Sequence, residues 1–201
     1  MNIELLTYTP NPEEHIANCA STCYDSPSKD LQASRKMISA IVKAGHESCI
    51  EHASATFRLK DVSRTLTHEL VRHRLFSFSQ RSQRYVKEND PSYIIPPAIK
   101  DNPPAETVFI ELMDKAWKAY KILLDFGIKA EDARFVLPNA CSTEIVVSGN
   151  FRQYRNFLKL RLSPRAQWEI RQAASIILDK LYEIAPSCFE DLKQGTAIQQ
   201  T

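Results

Sequence analysis

Four arginines fall within thirteen residues of the stretch RHRLFSFSQRSQRY, residues 72–85, and no acidic residue interrupts them. Serines, glutamines and one histidine lie between them. Arginine presents a flat fork of donors that binds phosphate or carboxylate through two parallel hydrogen bonds. Serine and glutamine add shorter donors and acceptors that suit the edge of a polar ring. The stretch therefore predicts a site for a small anionic ligand with a polar ring.

A second group of arginines occupies residues 150–171. Its members are Arg152, Arg155, Arg161, Arg165 and Arg171. A solvated basic helix face accounts for Arg152 and Arg155, which are three residues apart. It accounts less well for Arg161, which is flanked by leucines in LKLRLSP. Since an arginine in apolar surroundings needs an anionic or carbonyl partner, we expect Arg161 to have an assigned one.

The segment GHESCIEH, residues 45–52, differs from a zinc-protease HExxH because Ile50 stands where the second histidine belongs. His46 and His52 are six residues apart and would not share a helix face. Two interpretations remain open: a polar loop with two hydrogen-bonded histidines, or a loop that orders a ligand ring. Elsewhere no metal-ligand spacing, Ser-His-Asp order or glycosidase carboxylate pair stands out, so no metal is expected.

Several function classes do not fit the composition. The four glycines are far apart, so the chain has no Rossmann or P-loop glycine run, and side chains must hold any nucleotide. The net charge of +2, from 26 basic and 24 acidic residues, gives no charge-based case for a nucleic-acid binder. The five cysteines are scattered without a CxxC pair, which argues against a disulfide framework or a zinc site.

The length of 201 residues fits one domain, residues 1–201. No apolar run approaches the ~18 residues of a membrane span. The N-terminal residues MNIELLTYTPNPEEH lack the basic and then apolar order of a signal peptide. We therefore expect a cytoplasmic protein without a membrane partner.

Hydrophobic spacing predicts the elements that position these groups. Strands are predicted at residues 3–8, 53–60 and 142–149, and helices at 30–44, 105–126, 150–160 and 165–184. A further helix, capped by Asp61 or Ser63, leads through Leu70 into the arginine stretch. Arg72 and Arg74 would point in different directions on a continuing helix, so the helix is expected to end near them.

The remaining segments are predicted from turn residues and apolar spacing. Residues 76–86 are expected to be irregular or extended, and the proline-rich residues 87–105 to form a long connection. Residues 130–137 predict a shorter helix, and Pro186 is expected to close the last one. The helix at 105–126 is expected to bury a stripe that consists of Val108, Leu112, Ala116, Tyr120 and Leu123 or Leu124.

Four segments of the sequence resemble those of a known family. The order Arg72-His73-Arg74, seven residues and then Ser82 is the signature of the flavin-dependent thymidylate synthases, and the match continues through Arg84 and Tyr85. Three further segments resemble the same family: GHESCIEH, EDARFVLP, and NFLKLRLSPRAQWEI at residues 156–170. Together they span most of the chain in the family's order.

The resemblance implies a fold, an assembly and a reaction. The fold would be α/β (α+β), a single domain with a central, mainly antiparallel sheet flanked by helices. The assembly would be a homotetramer with active sites at subunit interfaces. The reaction would be the reductive methylation of dUMP to dTMP, with 5,10-methylenetetrahydrofolate as carbon donor and NADPH-reduced FAD as hydride source. No protein nucleophile is expected, and Ser82 would be a substrate ligand.

The resemblance also implies roles for individual residues. The expected FAD contacts are Ser48, Arg72, His73, Arg74, Gln80, Asn150, Arg152 and Asn156. The expected dUMP contacts are Glu69, Arg72, Gln80, Ser82, Gln83, Arg84, Arg134 and Arg161. Arg161 would be the catalytic residue, since a cation beside the uracil ring stabilises negative charge that develops during attack. His46 would lie at the folate and NADPH face of the flavin.

Three positions depart from the family's commonest pattern. Ser79 replaces an Asn, Glu69 replaces a Gln near the nucleotide, and Arg165 replaces a His. An acid beside dUMP repels the phosphate unless it faces the base or an arginine. The roles of Glu69 and Arg165 therefore stay open.

Two alternatives come from other classes of protein. Residues 72–86 could form a nucleic-acid-binding module in which Phe76, Phe78 and Tyr85 stack on bases, although the near-neutral net charge argues against it. The arginines could also form ion pairs between subunits of a scaffold. Uptake of FAD and binding of dUMP distinguish the enzyme from both.

Overall fold

The structure is a computed structural model that describes residues 1–22, 30–88 and 90–198. Four strands form one antiparallel sheet with the order β1-β2-β4-β3. The strands are β1 (Asn2–Tyr8), β2 (Ser54–Ser63), β3 (Ser77–Gln80) and β4 (Ser142–Asn150). On β2 the alternating residues Ala55, Phe57 and Leu59 are buried, as their spacing predicts. The α+β fold class is confirmed.

Nine α-helices lie within the described residues. They are α1 (Pro12–Ser21), α2 (Leu31–Lys43), α3 (Arg64–Leu70), α4 (Pro97–Lys100), α5 (Pro103–Asp125), α6 (Ala130–Ala133), α7 (Phe151–Arg161), α8 (Trp168–Ile184) and α9 (Pro186–Ile198). Two 3-10 helices span Glu47–His52 and Arg134–Val136. None of these described helices combines the length and apolar character that a membrane crossing requires.

The contacts of the chain divide it into two units. The first unit contains Met1–Asn2, Leu59–Glu69 and Ser79–Ile145, and the second contains Ile3–Arg58, Leu70–Phe78 and Val146–Thr201. The arginine stretch is therefore split after residue 78, so that its N-terminal part belongs to the second unit and its C-terminal part to the first. The single domain expected for residues 1–201 stays a prediction.

Helix α3 begins and ends where the arginine stretch requires. The Ser63 side chain accepts a hydrogen bond from the Leu66 N–H at 3.0 Å, so Ser63 rather than Asp61 caps the helix. The helix ends at Leu70, and Arg72, His73 and Arg74 follow in a turn. We call these three residues the RHR turn. The predicted helix end is confirmed.

The apolar stripe predicted for α5 is partly wrong. Met113, Trp117 and Tyr120 are the buried residues of this helix, whereas Val108 and Leu112 are mostly exposed. Met113 and Trp117 pack with Cys141, and Tyr93 and Phe109 pack against that cluster. The bulky residues at Met113, Trp117 and Tyr120 have helical spacing too, and they define the buried face.

The sequence does not predict two of the helices, because proline can start a helix as well as end one. Helix α4 begins at Pro97 inside the expected connection, and α9 begins at Pro186, where the last helix was expected to close. Proline suits the first turn of a helix because its missing N–H has no partner there. Pro186 thus ends α8 and starts α9.

Candidate active site

The start of α7 is built by two side chains that cap each other. The Asn150 side chain accepts from the Gln153 N–H at 2.9 Å, and the Gln153 side chain accepts from the Asn150 N–H at 2.7 Å. Gln153 Nε2 also donates to the carbonyl oxygen of Leu75 at 3.0 Å. Because Leu75 directly follows the RHR turn, this bond ties the turn to the helix that carries the second arginine group.

A cavity of about 570 Å³ lies in the second unit between these elements. It is lined by Arg72, His73, Arg74, Leu75, Phe76, Gln153, Asn156, Leu160 and Arg161. We call it the RHR cavity. It brings together five residues to which the sequence assigned ligand contacts, and they come from segments more than eighty residues apart. Guanidinium and amide groups share its wall with apolar side chains, which suits an anionic ligand that carries a flat ring.

Arg161 and His73 meet inside this cavity. Arg161 Nε donates to His73 Nε2 at 3.0 Å. Since arginine keeps its protons, His73 Nε2 must be an unprotonated acceptor. Burial, with a smaller contribution from the Arg161 charge, lowers the pKa of His73 to about 4. The His73 ring also packs edge-on against Phe157, with ring centroids 5.0 Å apart. A neutral imidazole therefore holds Arg161 in place.

Gly149 permits the packing behind the RHR cavity. A Cβ atom at Gly149 would lie 2.2 Å from the Phe76 ring. The Phe76 ring also packs against Tyr154, with centroids 4.8 Å apart. Only glycine leaves room for this aromatic contact, which places Phe76 in the cavity wall.

A second cavity of about 470 Å³ lies beside the N-terminal half of α7. It is lined by Glu47, Glu51, Leu75, Asn150, Arg152, Gln153, Asn156 and Lys159. It shares Leu75, Gln153 and Asn156 with the RHR cavity. Arg152 forms an exposed ion pair with Glu51. All the residues expected to contact FAD, except Ser48 and Gln80, line one of these two cavities.

Arg155 is buried, so the interpretation of it as part of a solvated basic face is wrong. Its side chain is 2% exposed and donates to Glu47 at 2.9 Å, to Asp191 at 2.7 Å and 2.8 Å, and to the Cys188 carbonyl oxygen at 2.6 Å. Burial alone would raise the pKa of Glu47, but hydrogen bonds from Lys159 and Arg155 hold it below its usual value. We call Glu47, Arg155 and Asp191 the Arg155 network. It ties the 3-10 helix at Glu47–His52 to α7 and α9.

The substrate residues expected at 80–84 lie in the first unit, where Glu131 brings two arginines together. Arg84 donates to the Glu131 carboxylate at 3.1 Å, and Arg134 Nε donates to the Glu131 carbonyl oxygen at 3.1 Å. The Arg84 side chain is half exposed, at 52%, and the Glu131 side chain is partly exposed, at 37%. Glu131 lies in the first turn of α6, within the helix predicted at residues 130–137. Its pairing with Arg84 was not foreseen.

The other expected substrate residues of the first unit differ in their surroundings. The Ser82 hydroxyl oxygen accepts from the Arg84 N–H at 3.2 Å, which leaves its proton for another acceptor. Gln83 is buried, yet its Nε2 has no hydrogen-bond partner among the residues that the structure describes. Gln80 Nε2 lies 3.1 Å from the Thr67 hydroxyl. Glu69 is half-buried on α3.

Some expected site residues line neither cavity. His46 and Ser48 are exposed at the start of the 3-10 helix Glu47–His52, and Arg165 is exposed between α7 and α8. Burial raises the pKa values of Cys141 and Cys188 to about 12, so neither thiol is a ready nucleophile.

The residues that the sequence did not identify as site members include Glu47, Glu131, Gln153 and Leu160. Only Gln153 carried a usable signal, because Asn150 with Gln three residues later is a capping pattern. The two acids meet arginines that lie far away in sequence, and no local spacing reveals such pairs.

Comparisons with known proteins agree on one family. A family model described as thymidylate synthase complementing protein matches residues 4–187. A flavin-dependent thymidylate synthase of Clostridium tetani is 42% identical and aligns with 94% of this chain and 86% of its own length. Another, from Geobacter sulfurreducens, is 42% identical over 97% of this chain and 88% of its own.

A solved structure has the same fold. It is a UMP/dUMP methylase, PolB, from Streptomyces cacaoi, bound with 5-Br dUMP. It superimposes with a TM-score of 0.86 over 96% of this chain and 94% of its own, at 23% sequence identity. At that identity the likeness concerns the fold.

Proposed function

The chain belongs to the flavin-dependent thymidylate synthase family, and we propose that it converts dUMP to dTMP with 5,10-methylenetetrahydrofolate as carbon donor and NADPH as reductant. The observation that carries the proposal is the RHR cavity. In it the signature residues Arg72, His73 and Arg74 meet Asn156 and Arg161 from a distant helix. The nucleic-acid-binding alternative has no support in these relatives.

The side chains of the two cavities fit FAD. Guanidinium groups of Arg72, Arg74 and Arg152 supply charge for a diphosphate, and Asn150 and Asn156 supply amides for polar groups. Leu75, Phe76 and Leu160 add apolar surface of the kind that a flavin ring needs. When bound, FAD supplies the reducing equivalents that turn the transferred carbon into a methyl group.

Arg161 is proposed to activate the substrate. A guanidinium beside the uracil ring stabilises negative charge that develops as the ring attacks the one-carbon unit. Neutral His73 accepts from Arg161 Nε and so orients the fork without cancelling its charge. His73 thus acts through Arg161 as well as lining the cavity.

In the first unit, Gln80, Ser82, Gln83, Arg84 and Arg134 are proposed to bind dUMP. Arg84 and Arg134 supply charge for the phosphate. The Ser82 hydroxyl accepts from the Arg84 N–H, and within the described residues no histidine or carboxylate contacts it as a base. This arrangement supports a substrate ligand rather than a nucleophile.

The proposal also includes the wider setting of the reaction. Arg72 is assigned to dUMP as well as to FAD, and Glu69 to dUMP. Ser48 is assigned to FAD and His46 to the folate and NADPH face, and the exposure of both leaves them accessible to ligands. A cytoplasmic homotetramer with active sites at subunit interfaces completes the proposal, and it rests on the family to which the chain belongs.

The test is a reconstitution with the purified protein. We expect a yellow protein with a flavin absorbance spectrum that forms dTMP only when dUMP, methylenetetrahydrofolate and NADPH are all present. Ser82→Ala is expected to weaken dUMP binding and leave residual turnover. A protein that takes up no FAD and binds no dUMP would refute the proposal, and a trapped covalent adduct between Ser82 and uracil would refute the role of Ser82.

A further inference from the structure

We propose that Thr67 is a positioning residue for ligand binding, because its hydroxyl fixes the Gln80 amide so that the amide oxygen faces the ligand. The inference rests on the proposed function, in which Gln80 contacts dUMP and FAD. It assigns a role to a residue of α3 that lies outside the signature. The ligand group it predicts is a hydrogen-bond donor.

The hydrogen bonds of the Thr67 hydroxyl settle the orientation of the amide. Thr67 is 1% exposed, and its Oγ1 donates to the Arg64 carbonyl oxygen at 3.0 Å. A hydroxyl has a single proton, so towards Gln80 the same oxygen can only accept. The Gln80 atom at 3.1 Å from it must therefore be the amide nitrogen.

A second hydroxyl lies beside the same nitrogen. Thr143, a buried residue of β4, has its Oγ1 3.4 Å from Gln80 Nε2. The two N–H groups of the amide thus have two hydroxyl partners. No hydrogen bond to Gln80 Oε1 occurs within the part of the chain that the structure describes, so an acceptor oxygen is left for a ligand.

The backbone next to Gln80 is held from both sides. The Arg81 N–H donates to the Glu144 carbonyl oxygen at 2.9 Å, and the Arg64 guanidinium donates to the Arg81 carbonyl oxygen at 3.1 Å. The main chain between Gln80 and Ser82 therefore has a fixed course. Rotation of the Gln80 amide is the remaining freedom, and Thr67 removes it.

A uracil nucleotide carries hydrogen-bond donors that the Gln80 amide oxygen can accept in this orientation. A neutral uracil nucleotide carries one ring donor, N3–H, and one sugar donor, the 3′-hydroxyl, while its other polar groups are acceptors. An amide oxygen attracts either donor, whereas a flipped amide would direct two N–H groups at it. FAD also carries hydroxyl donors, so the two ligands are tested separately.

The experiment compares threonine variants of the FAD-loaded protein. Thr67→Val removes the hydroxyl but keeps the shape, Thr67→Ser keeps the hydroxyl, and Thr65→Val changes an exposed neighbour that bonds the Asn139 carbonyl oxygen. Calorimetry gives the Kd for dUMP, initial rates give KM and kcat, and reloading of apoprotein gives the Kd for FAD. We expect Thr67→Val to raise the Kd and KM for dUMP about tenfold with kcat nearly unchanged. Thr67→Ser and Thr65→Val should stay near the parent.

A double-variant cycle separates positioning from a general structural effect. In a Gln80→Met background, Thr67→Val should weaken binding no further, because the amide it orients is gone. If only the Kd for FAD changes, FAD is the ligand that the oriented Gln80 amide binds. N3-methyl-dUMP and the 3′-deoxy nucleotide identify the donor: the analogue that lacks it should bind the parent and Thr67→Val equally.

Several results would overturn the inference. They are an unchanged Kd for both ligands in Thr67→Val, an equal loss in Thr67→Ser, or a full further loss in the Gln80→Met background. If Thr67→Val does not fold, Thr143→Val takes its place. We expect a smaller loss of affinity in that variant, and an unchanged affinity would contradict the proposal. A parent protein that binds neither ligand would refute the proposed function itself, whereas a binding parent with an unaffected variant refutes only the positioning.

Discussion

In the second unit, the arginines of α7 and the RHR turn include two that are fixed by partners inside the fold. Arg155 is 2% exposed and bonds Glu47 and Asp191, and Arg161 bonds neutral His73. In the first unit, Arg84 is half exposed and pairs with an exposed acid, Glu131. Arginines of the two units therefore differ in how firmly their side chains are held.

The difference concerns what a ligand must displace. The Arg155 network and the His73–Arg161 bond hold their side chains in place within the second unit, so binding at the RHR cavity is expected to require little rearrangement. At Arg84, the phosphate that is proposed to bind there would compete with the Glu131 carboxylate for the same guanidinium. Exposed ion pairs of this kind are weak, so replacing the Glu131 carboxylate with a phosphate costs little free energy. We infer a preformed cofactor side and an exchangeable nucleotide side.

The largest expected effect concerns the preformed side. Arg161→Ala should retain flavin, because other cationic and amide groups of the RHR cavity remain, yet kcat for dTMP formation should fall by about 10²–10³-fold. Flavin absorbance and single-turnover rates measure the two properties. Arg171→Ala is the control, since Arg171 is an exposed arginine that bonds the Pro164 carbonyl oxygen. Full activity in Arg161→Ala would contradict the assigned role.

The second effect compares two arginines of the same helix. Arg155→Met leaves Asp191 without its two-point partner and Glu47 with Lys159 alone, so the free energy of unfolding should fall by about 2 kcal/mol. Arg152→Met breaks only the exposed pair with Glu51 and should cost less than about 1 kcal/mol. Urea denaturation of both variants measures the difference. Equal losses would mean that Arg155 is no more tightly held than a surface arginine.

The sequence predicts much of the fold. Helical and strand spacing predicted α2, α5, α7, α8 and three of the strands, because one face of each is buried. It failed where a single residue has two roles, as Pro186 does in ending one helix and starting the next. It also placed Val108 and Leu112 on the buried face of α5 together with Tyr120, since they have the same helical spacing as the buried Met113 and Trp117.

The sequence predicted which residues lie together around the RHR cavity, but not how they pair. The resemblance assigned Arg72, His73, Arg74 and Asn156 to FAD and Arg161 to dUMP, and all five line one cavity. Spacing could not reveal that Arg155 is buried while Arg152 is exposed, because the acids that bury it, Glu47 and Asp191, lie far away in sequence. Long-range partners, rather than residue types, decide which arginine is structural.

The third effect uses pH to test whether burial, with the neighbouring Arg161 charge, holds His73 neutral. His73 has a pKa of about 4 in the folded chain, against an ordinary 6.5. Between these two pH values, His73 is protonated in the unfolded chain and neutral in the folded chain. Stability from this residue is therefore complete above pH 6.5 and is lost as pH falls towards 4. His73→Gln should flatten the pH dependence of unfolding in that window. An unchanged dependence would mean that the histidine is not held neutral.

The smallest effect tests the exchangeable side. Glu131→Gln removes the acid that competes for Arg84, so dUMP should bind two- to fivefold more tightly, about the worth of an exposed ion pair. The gain should shrink at high salt, because screening weakens the parent's ion pair. Asp132→Asn removes a neighbouring charge in the same turn of α6 and separates the pairing from a general electrostatic change. Equal gains in both variants would reduce the effect to net charge. Weaker dUMP binding in Glu131→Gln would instead mean that Glu131 holds Arg84 in its binding position. The Arg84 region and the RHR cavity would then both be preformed.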